Sequence, residues 1–189
     1  MLKKIGTVLL STVLMNTLYA QDDMVLHNKS FIGLELGYAT VQGDVGGFLP
    51  AYIIRDYQES DIEYGIHIGA QNEEWRATLA FNYFDGQYDD GAKQNYEKGL
   101  VSIDYFILPE STVRPYIGVN VGYINYESTN NIDMSGFLYG VQAGLAMNIA
   151  ESVDIDLMYR YSLSSATQDD RNAALDHIGS IVFGINYLF

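Results

Sequence analysis

The sequence predicts an all-β fold, an eight-stranded antiparallel up-and-down transmembrane β-barrel behind a cleavable signal peptide. Three observations carry it. Eight segments alternate large apolar side chains with small or polar ones, the period of two that a strand shows its two faces. Their connections alternate too, three of them tight and four long and polar. After the leader no window is apolar enough to cross a bilayer as a helix, so any crossing falls to strands.

Met1 to Ala20 opens with Lys3 and Lys4, continues as an apolar run from Ile5 to Met15 and reaches Ala20 before acidic residues. That is the layout of a secretory signal peptide, with a run shorter than the roughly 18 residues of a spanning helix. The expected organisation is therefore 1-20 signal peptide, 21-30 a short polar periplasmic tail, and 31-189 the barrel.

The first strand starts at Phe31 and sets Ile32, Leu34, Leu36 and Tyr38 against Gly33, Glu35 and Gly37. The second, about Ile62 to Gln71, sets Tyr64, Ile66 and Ile68 against Gly65, His67 and Gly69. Asn72 to Glu74 turns the chain. The third, Trp75 to Phe84, groups Trp75, Ala77, Leu79, Phe81 and Tyr83 against Arg76, Thr78, Ala80 and Asn82. The fourth, about Glu97 to Leu108, groups Val101, Ile103, Tyr105 and Ile107 against Ser102, Asp104 and Phe106. Pro109 then marks a turn, where a residue without an N–H costs a ladder nothing.

The fifth strand, Val113 to about Tyr126, places Ile117, Val119, Val121 and Tyr123 opposite Gly118, Asn120 and Gly122. The sixth, about Gly136 to Ile149, runs Phe137, Tyr139, Val141, Ala143, Leu145 and Met147 against Gly140, Gln142, Gly144 and Asn148. After Ala150 to Ser152 the seventh sets Val153, Ile155, Leu157, Tyr159, Tyr161 and Leu163 against Asp154, Asp156, Met158, Arg160 and Ser162. The eighth, His177 to Phe189, sets Ile181, Phe183, Ile185, Tyr187 and Phe189 against Ser180, Val182, Gly184, Asn186 and Leu188. Long polar connections are expected over about Asp44 to Asp61, Asp85 to Tyr96, Glu127 to Ser135 and Ser164 to Asp176. Short turns at one end and long loops at the other are the asymmetry of outer-membrane barrels, whose short turns face the periplasm.

Composition closes off other classes. The 189 residues suit one domain, and the formal charge of -14 argues against nucleic acid, which requires clustered Lys and Arg. Without cysteine there is no disulfide and no thiolate metal site. Alternation alone also fits a soluble barrel with its apolar face inward. The second face decides between them: Gly, Ser, Asn and Gln fill a crowded bore better than they cover a water-exposed wall. Tyr38, Trp75, Tyr83, Tyr123, Phe137, Tyr187 and Phe189 gather near strand ends, where headgroup-level girdles lie.

Residues 31 to 189 resemble the small eight-stranded outer-membrane β-barrel family, the OmpA transmembrane-domain-like proteins. Gly184-x-x-Tyr187-x-Phe189 and Asp156-Leu-Met-Tyr-Arg-Tyr161 carry the likeness, and Val182 stands where the family's terminal signal has a polar residue. The resemblance implies residence in the cell outer membrane, contact with its lipids and lipopolysaccharide, and an assembly signal in Gly184, Tyr187 and Phe189 read by the barrel-assembly machinery. With nothing after Phe189, no cell-wall-binding domain is expected.

The inward face would hold Glu35, His67, Arg76, Asp104, Asp154, Asp156 and Arg160. Charges in a narrow bore must be paired or hydrogen-bonded. The expected role is a polar plug, with Glu35 facing His67; four carboxylates against two arginines call for water, a charged His67 or a protonated acid. A narrow diffusion channel is the alternative. Some barrels of this size are lipid A-modifying enzymes using His, Ser and an acid, but His177 and Ser180 fall on opposite faces and no catalytic set is expected. No metal or cofactor is expected either: Asp85 to Gly91 resembles a calcium loop only loosely, with Asp90 where Gly belongs. The acids and aromatics of the long connections, Phe48, Tyr52, Tyr57, Tyr88, Asp89, Asp90, Asp169 and Asp170, are the expected contact surface, with no partner named.

Overall fold

The computed structural model describes residues 28–46, 54–87, 93–128, 132–168 and 173–189. Its strands are β1 (Lys29–Gly46), β2 (Ile54–Gln71), β3 (Trp75–Gln87), β4 (Lys93–Phe106), β5 (Val113–Ser128), β6 (Ile132–Ala150), β7 (Val153–Ser164), a two-residue β8 (Thr167–Gln168) and β9 (Ala173–Leu188). Each pairs antiparallel with its neighbour, and β1 pairs with β9 to close the sheet. β7 and β8 are one strand interrupted at Ser165 and Ala166: β6 meets both in one register, Leu138 opposite Ser164 and Ser135 opposite Thr167. The result is the expected closed barrel of eight strands. A circuit of paired residues from Ile32 through Ile68, Leu79, Val101, Val121, Tyr139, Leu163 and His177 returns to β1 at Gln42. This stagger tilts the strands against the barrel axis.

Local chemistry explains the short turns. Asn72 Oδ1 accepts from the backbone N–H of Glu74 at 2.9 Å and of Trp75 at 2.7 Å, an Asx turn between β2 and β3. At the seam, Ser30 and Phe189 exchange backbone hydrogen bonds of 2.9 Å. β1 thus begins at Lys29, two residues inside the segment expected to be a tail.

From the short-turn end to a ring marked by Tyr38, Tyr64, Tyr83, Tyr123 and Phe137, the outward side chains are apolar. Ile66, Val119, Val141 and Ile181 are all more than half exposed. About ten residues per strand at ~3.3 Å each, tilted about 40°, give a belt of roughly 25 Å, the height of a hydrocarbon core. Aromatic pairs border it: Trp75 with Tyr105 (4.9 Å between centroids) at the short-turn end, and Tyr64 with Tyr83 (5.4 Å) and Tyr123 with Phe137 (5.5 Å) at the other.

Above that ring the two faces exchange roles. Glu97, Asn125, Glu127 and Asp133 point outward and are exposed, while Tyr96, Ile124, Tyr126 and Met134 are buried inside. Most of the four expected connections is therefore ladder: β1 and β2 pair up to Gly46 opposite Ile54, β3 and β4 up to Gln87 opposite Lys93, and β5 and β6 up to Ser128 opposite Ile132. Alternation persists there with its polarity reversed, and that reversal reads as loop when outward apolar groups are the signal sought.

Candidate functional site

The inward face below the ring is a knot of ion pairs and amides, each member brought in by strand parity. At its lowest level Asp154 accepts from Gln71 Nε2 at 2.9 Å, Arg114 Nη2 at 3.0 Å and Asn148 Nδ2 at 2.7 Å. One level up, Arg76 bridges two acids, with Nε 3.0 Å from Asp104 and Nη1 2.8 Å from Asp156. Its guanidinium lies over the Tyr116 ring, 4.3 Å from the centroid, and that of Arg114 lies 4.4 Å over Phe106. Asp104 also accepts from Gln142 Nε2 at 2.6 Å, and Gln142 accepts from Arg160 Nε at 3.2 Å.

Glu35 is the hub of the next level. Arg160 Nη2 lies 3.3 Å from its Oε1, and Asn82 Nδ2 donates to its Oε2 at 2.7 Å. His67 Nδ1 stands 3.3 Å from Glu35 Oε1, an ion-pair distance without hydrogen-bond alignment, while Nε2 meets Asn186 Oδ1. The Asn186 amide nitrogen donates to Asp156 at 2.5 Å, which turns its oxygen toward the ring. Both His67 nitrogens therefore face oxygens. The wall yields space for these groups where it lacks side chains: a Cβ at Gly118 would fall on Asp104 and the Ile103 carbonyl, and one at Gly33 on His67 and Asn186.

All seven sequence-derived lumen residues lie inside and are buried, in one connected group save Asp154, which sits beside it with Gln71 and Arg114. The sequence reading missed Glu63, Lys98 and Arg114. They change the charge balance: among the buried described acids, Glu35, Glu63, Asp104, Asp154 and Asp156 face Arg76, Lys98, Arg160 and the less buried Arg114, with His67 as a further group able to carry charge. Strand parity held the signal, because Lys98 shares a face with Ser102 and Asp104, Glu63 with His67, and Arg114 with Gly118.

Gly184, Tyr187 and Phe189 occupy the closing strand β9. Gly184 faces inward; Tyr187 and Phe189 face outward at the short-turn end, their rings stacked at 6.4 Å. Val182 is fully buried in a small apolar cluster with Phe106, Tyr116, Ala146 and Met158. Ser180 is buried in the bore, while His177 sits at the outer surface against Tyr161, so the two do not meet. Asp85 to Gln87 end β3, and the rest of the calcium-like stretch lies outside the described residues, as do Phe48, Tyr52, Asp169 and Asp170. Among the described residues no group of acids and histidines is arranged to hold a metal ion.

An apolar belt outside, a polar knot inside and antiparallel closure define a small β-barrel of the outer-membrane type. Solved structures with this fold include Neisserial surface protein A (NspA), with a TM-score of 0.63 at 15% identity over 85% of this chain and 97% of that one. Outer membrane protein H (OprH) from P. aeruginosa gives 0.55 at 20% identity over 85% and 99%. No protein-family model matches the chain, and no curated protein sequence matches it.

Proposed function

We propose that the chain is a non-catalytic protein of the cell outer membrane, exported through a signal peptide over 1-20, with a lumen plugged by its own side chains. Its work lies in membrane structure and in contacts made by the acidic extracellular end. The observation that carries this is the crossing of the bore by charge-assisted bonds: Arg76 of β3 holds Asp104 on the neighbouring β4 and reaches Asp156 on β7, the opposite strand, while Arg160 of β7 spans β9 to reach Glu35 on β1. A bore crossed by side chains that need each other for charge compensation offers substrate little passage. Lipid surrounds the belt. The rim acids Asp85, Glu97, Glu127 and Asp133 meet lipopolysaccharide phosphates through divalent cations, since unscreened they would repel them. Gly184, Tyr187 and Phe189 serve as the signal taken up by the barrel-assembly machinery.

Recording in planar bilayers tests the plug: silence is expected, and stable current steps from the unaltered protein overturn it. A narrow diffusion channel is the second reading. It draws on buried polar atoms without a protein partner, among them Tyr116 Oη, Asn120 Nδ2 and Ser180 Oγ, which would suit a file of water.

A further inference from the structure

Stacked on the polar knot is an interior of the opposite chemistry. Phe84 and Tyr96 lie face to face, centroids 4.7 Å apart and planes 2° from parallel. With Leu100, Ile124, Tyr126 and Leu138 they belong to one cluster in which no member exceeds 2% exposure. The wall around it carries Glu97, Asn125 and Glu127 on its outer side. This end of the barrel is built as a soluble barrel is, apolar within and charged without, on top of a membrane barrel built the other way round.

We propose that the seal against ions is this apolar cap rather than the polar knot beneath it, an inference that rests on the plugged-lumen reading above and moves the closure from the charged bonds, which fill the bore against larger solutes, to the cap. An ion moves only where something replaces its hydration shell, and an apolar constriction excludes water as well. The knot offers carboxylates, amides and hydroxyls, and its unpartnered polar atoms (His67 Nδ1, Asn82 Oδ1, Tyr116 Oη, Asn120 Nδ2, Ser180 Oγ) are ready to exchange bonds with water. Among the described residues of the cap region, Glu63 Oε1 and Gln94 Nε2 are the atoms of that kind. Other described polar groups there bind one another: Lys98 Nζ is 2.6 Å from Glu63 Oε2, Tyr96 Oη donates to the same oxygen, and Tyr126 Oη donates to Gln94 at 2.7 Å.

The test is conductance in planar bilayers for three variants beside the unaltered protein, each first checked for folding by the mobility difference between boiled and unboiled samples. Phe84→Ala with Tyr96→Ala opens the cap. Leu100→Asn hydrates it at nearly constant volume and serves if the double variant does not fold. Glu35→Ala with Arg160→Ala opens the knot and spares the cap. Stable steps at least tenfold above background are expected from a folded cap variant, and silence from the knot variant. Silent folded cap variants, or a conducting knot variant beside a silent unaltered protein, overturn the cap as barrier and leave the plug standing. Steps from the unaltered protein overturn both.

Discussion

Replacing Arg76 with Met removes the cation that Asp104 and Asp156 share, at 3.0 and 2.8 Å. Those carboxylates are 0% and 3% exposed in their side chains, so water does not take the guanidinium's place. Removing one partner of a buried ion pair costs about 3–5 kcal/mol, and the lost cation–π contact over Tyr116 adds up to ~2 kcal/mol. The variant should therefore unfold with about 5 kcal/mol less resistance. Trp75, the single tryptophan, adjoins the site on the lipid side, so urea titration of vesicle-inserted protein followed by its fluorescence reads the loss. A triple variant adding Asp104→Asn and Asp156→Asn removes the orphaned charges and keeps acceptors for Gln142 and Asn186; lacking still the contact over Tyr116, it should recover all but ~2 kcal/mol. A single variant within 1 kcal/mol of the parent, or a triple variant no better than the single, would refute the account of the knot as a set of mutually dependent charges.

Arg in place of Val119, mid-belt on β5, should cost about 2–4 kcal/mol in the same titration, whereas Asn125→Arg, further along that strand and on the rim, should cost close to nothing. Equal costs would contradict the assigned sidedness. Gly118→Ala, whose new carbon would fall on Asp104, should lose about 1–3 kcal/mol by overpacking, again by urea midpoint. Gly184→Ala meets nothing nearer than 3.5 Å and should refold in detergent unchanged. If Gly184 belongs to the assembly signal, the same variant should accumulate less in the outer membrane of cells, judged by the boiled-against-unboiled gel. Normal cellular yield would remove Gly184 from the signal.

The belt was legible because lipid enforces one rule on every strand: Ile155, Leu157 and Tyr159 must alternate with Asp156 and Met158, whatever their neighbours do. Lumen members such as Arg76 and Glu35 followed from the same parity. What the sequence did not disclose is which charges meet. Glu35 bonds Arg160 across 125 positions of chain, and Arg76 reaches Asp156 across 80, distances set by the stagger of the closed sheet rather than by any local pattern. The rim was misread for a different reason. Tyr96 and Met134 point inward between Asn95 and Glu97 and between Asp133 and Ser135, and that pattern, met between two greasy segments, looks like a polar connection. Only the ladder shows that the strands continue with their faces exchanged.

The seam between β1 and β9 joins strands from opposite ends of the described chain. A ribosome delivers them far apart in time, so through most of synthesis and export the nascent sheet has two raw margins and no way to cover either. Such margins recruit any strand that drifts by, and in a crowded periplasm the nearest strand belongs to another chain. Two of the ion pairs also wait for the last walls: Arg76 holds Asp104 on the next strand early, but reaches Asp156 only when β7 is in place, and Arg160 meets Glu35 only when the sheet closes. Until the last strand is in hand those edges stay open to such pairing, and the bonds between the first and last walls form only at closure.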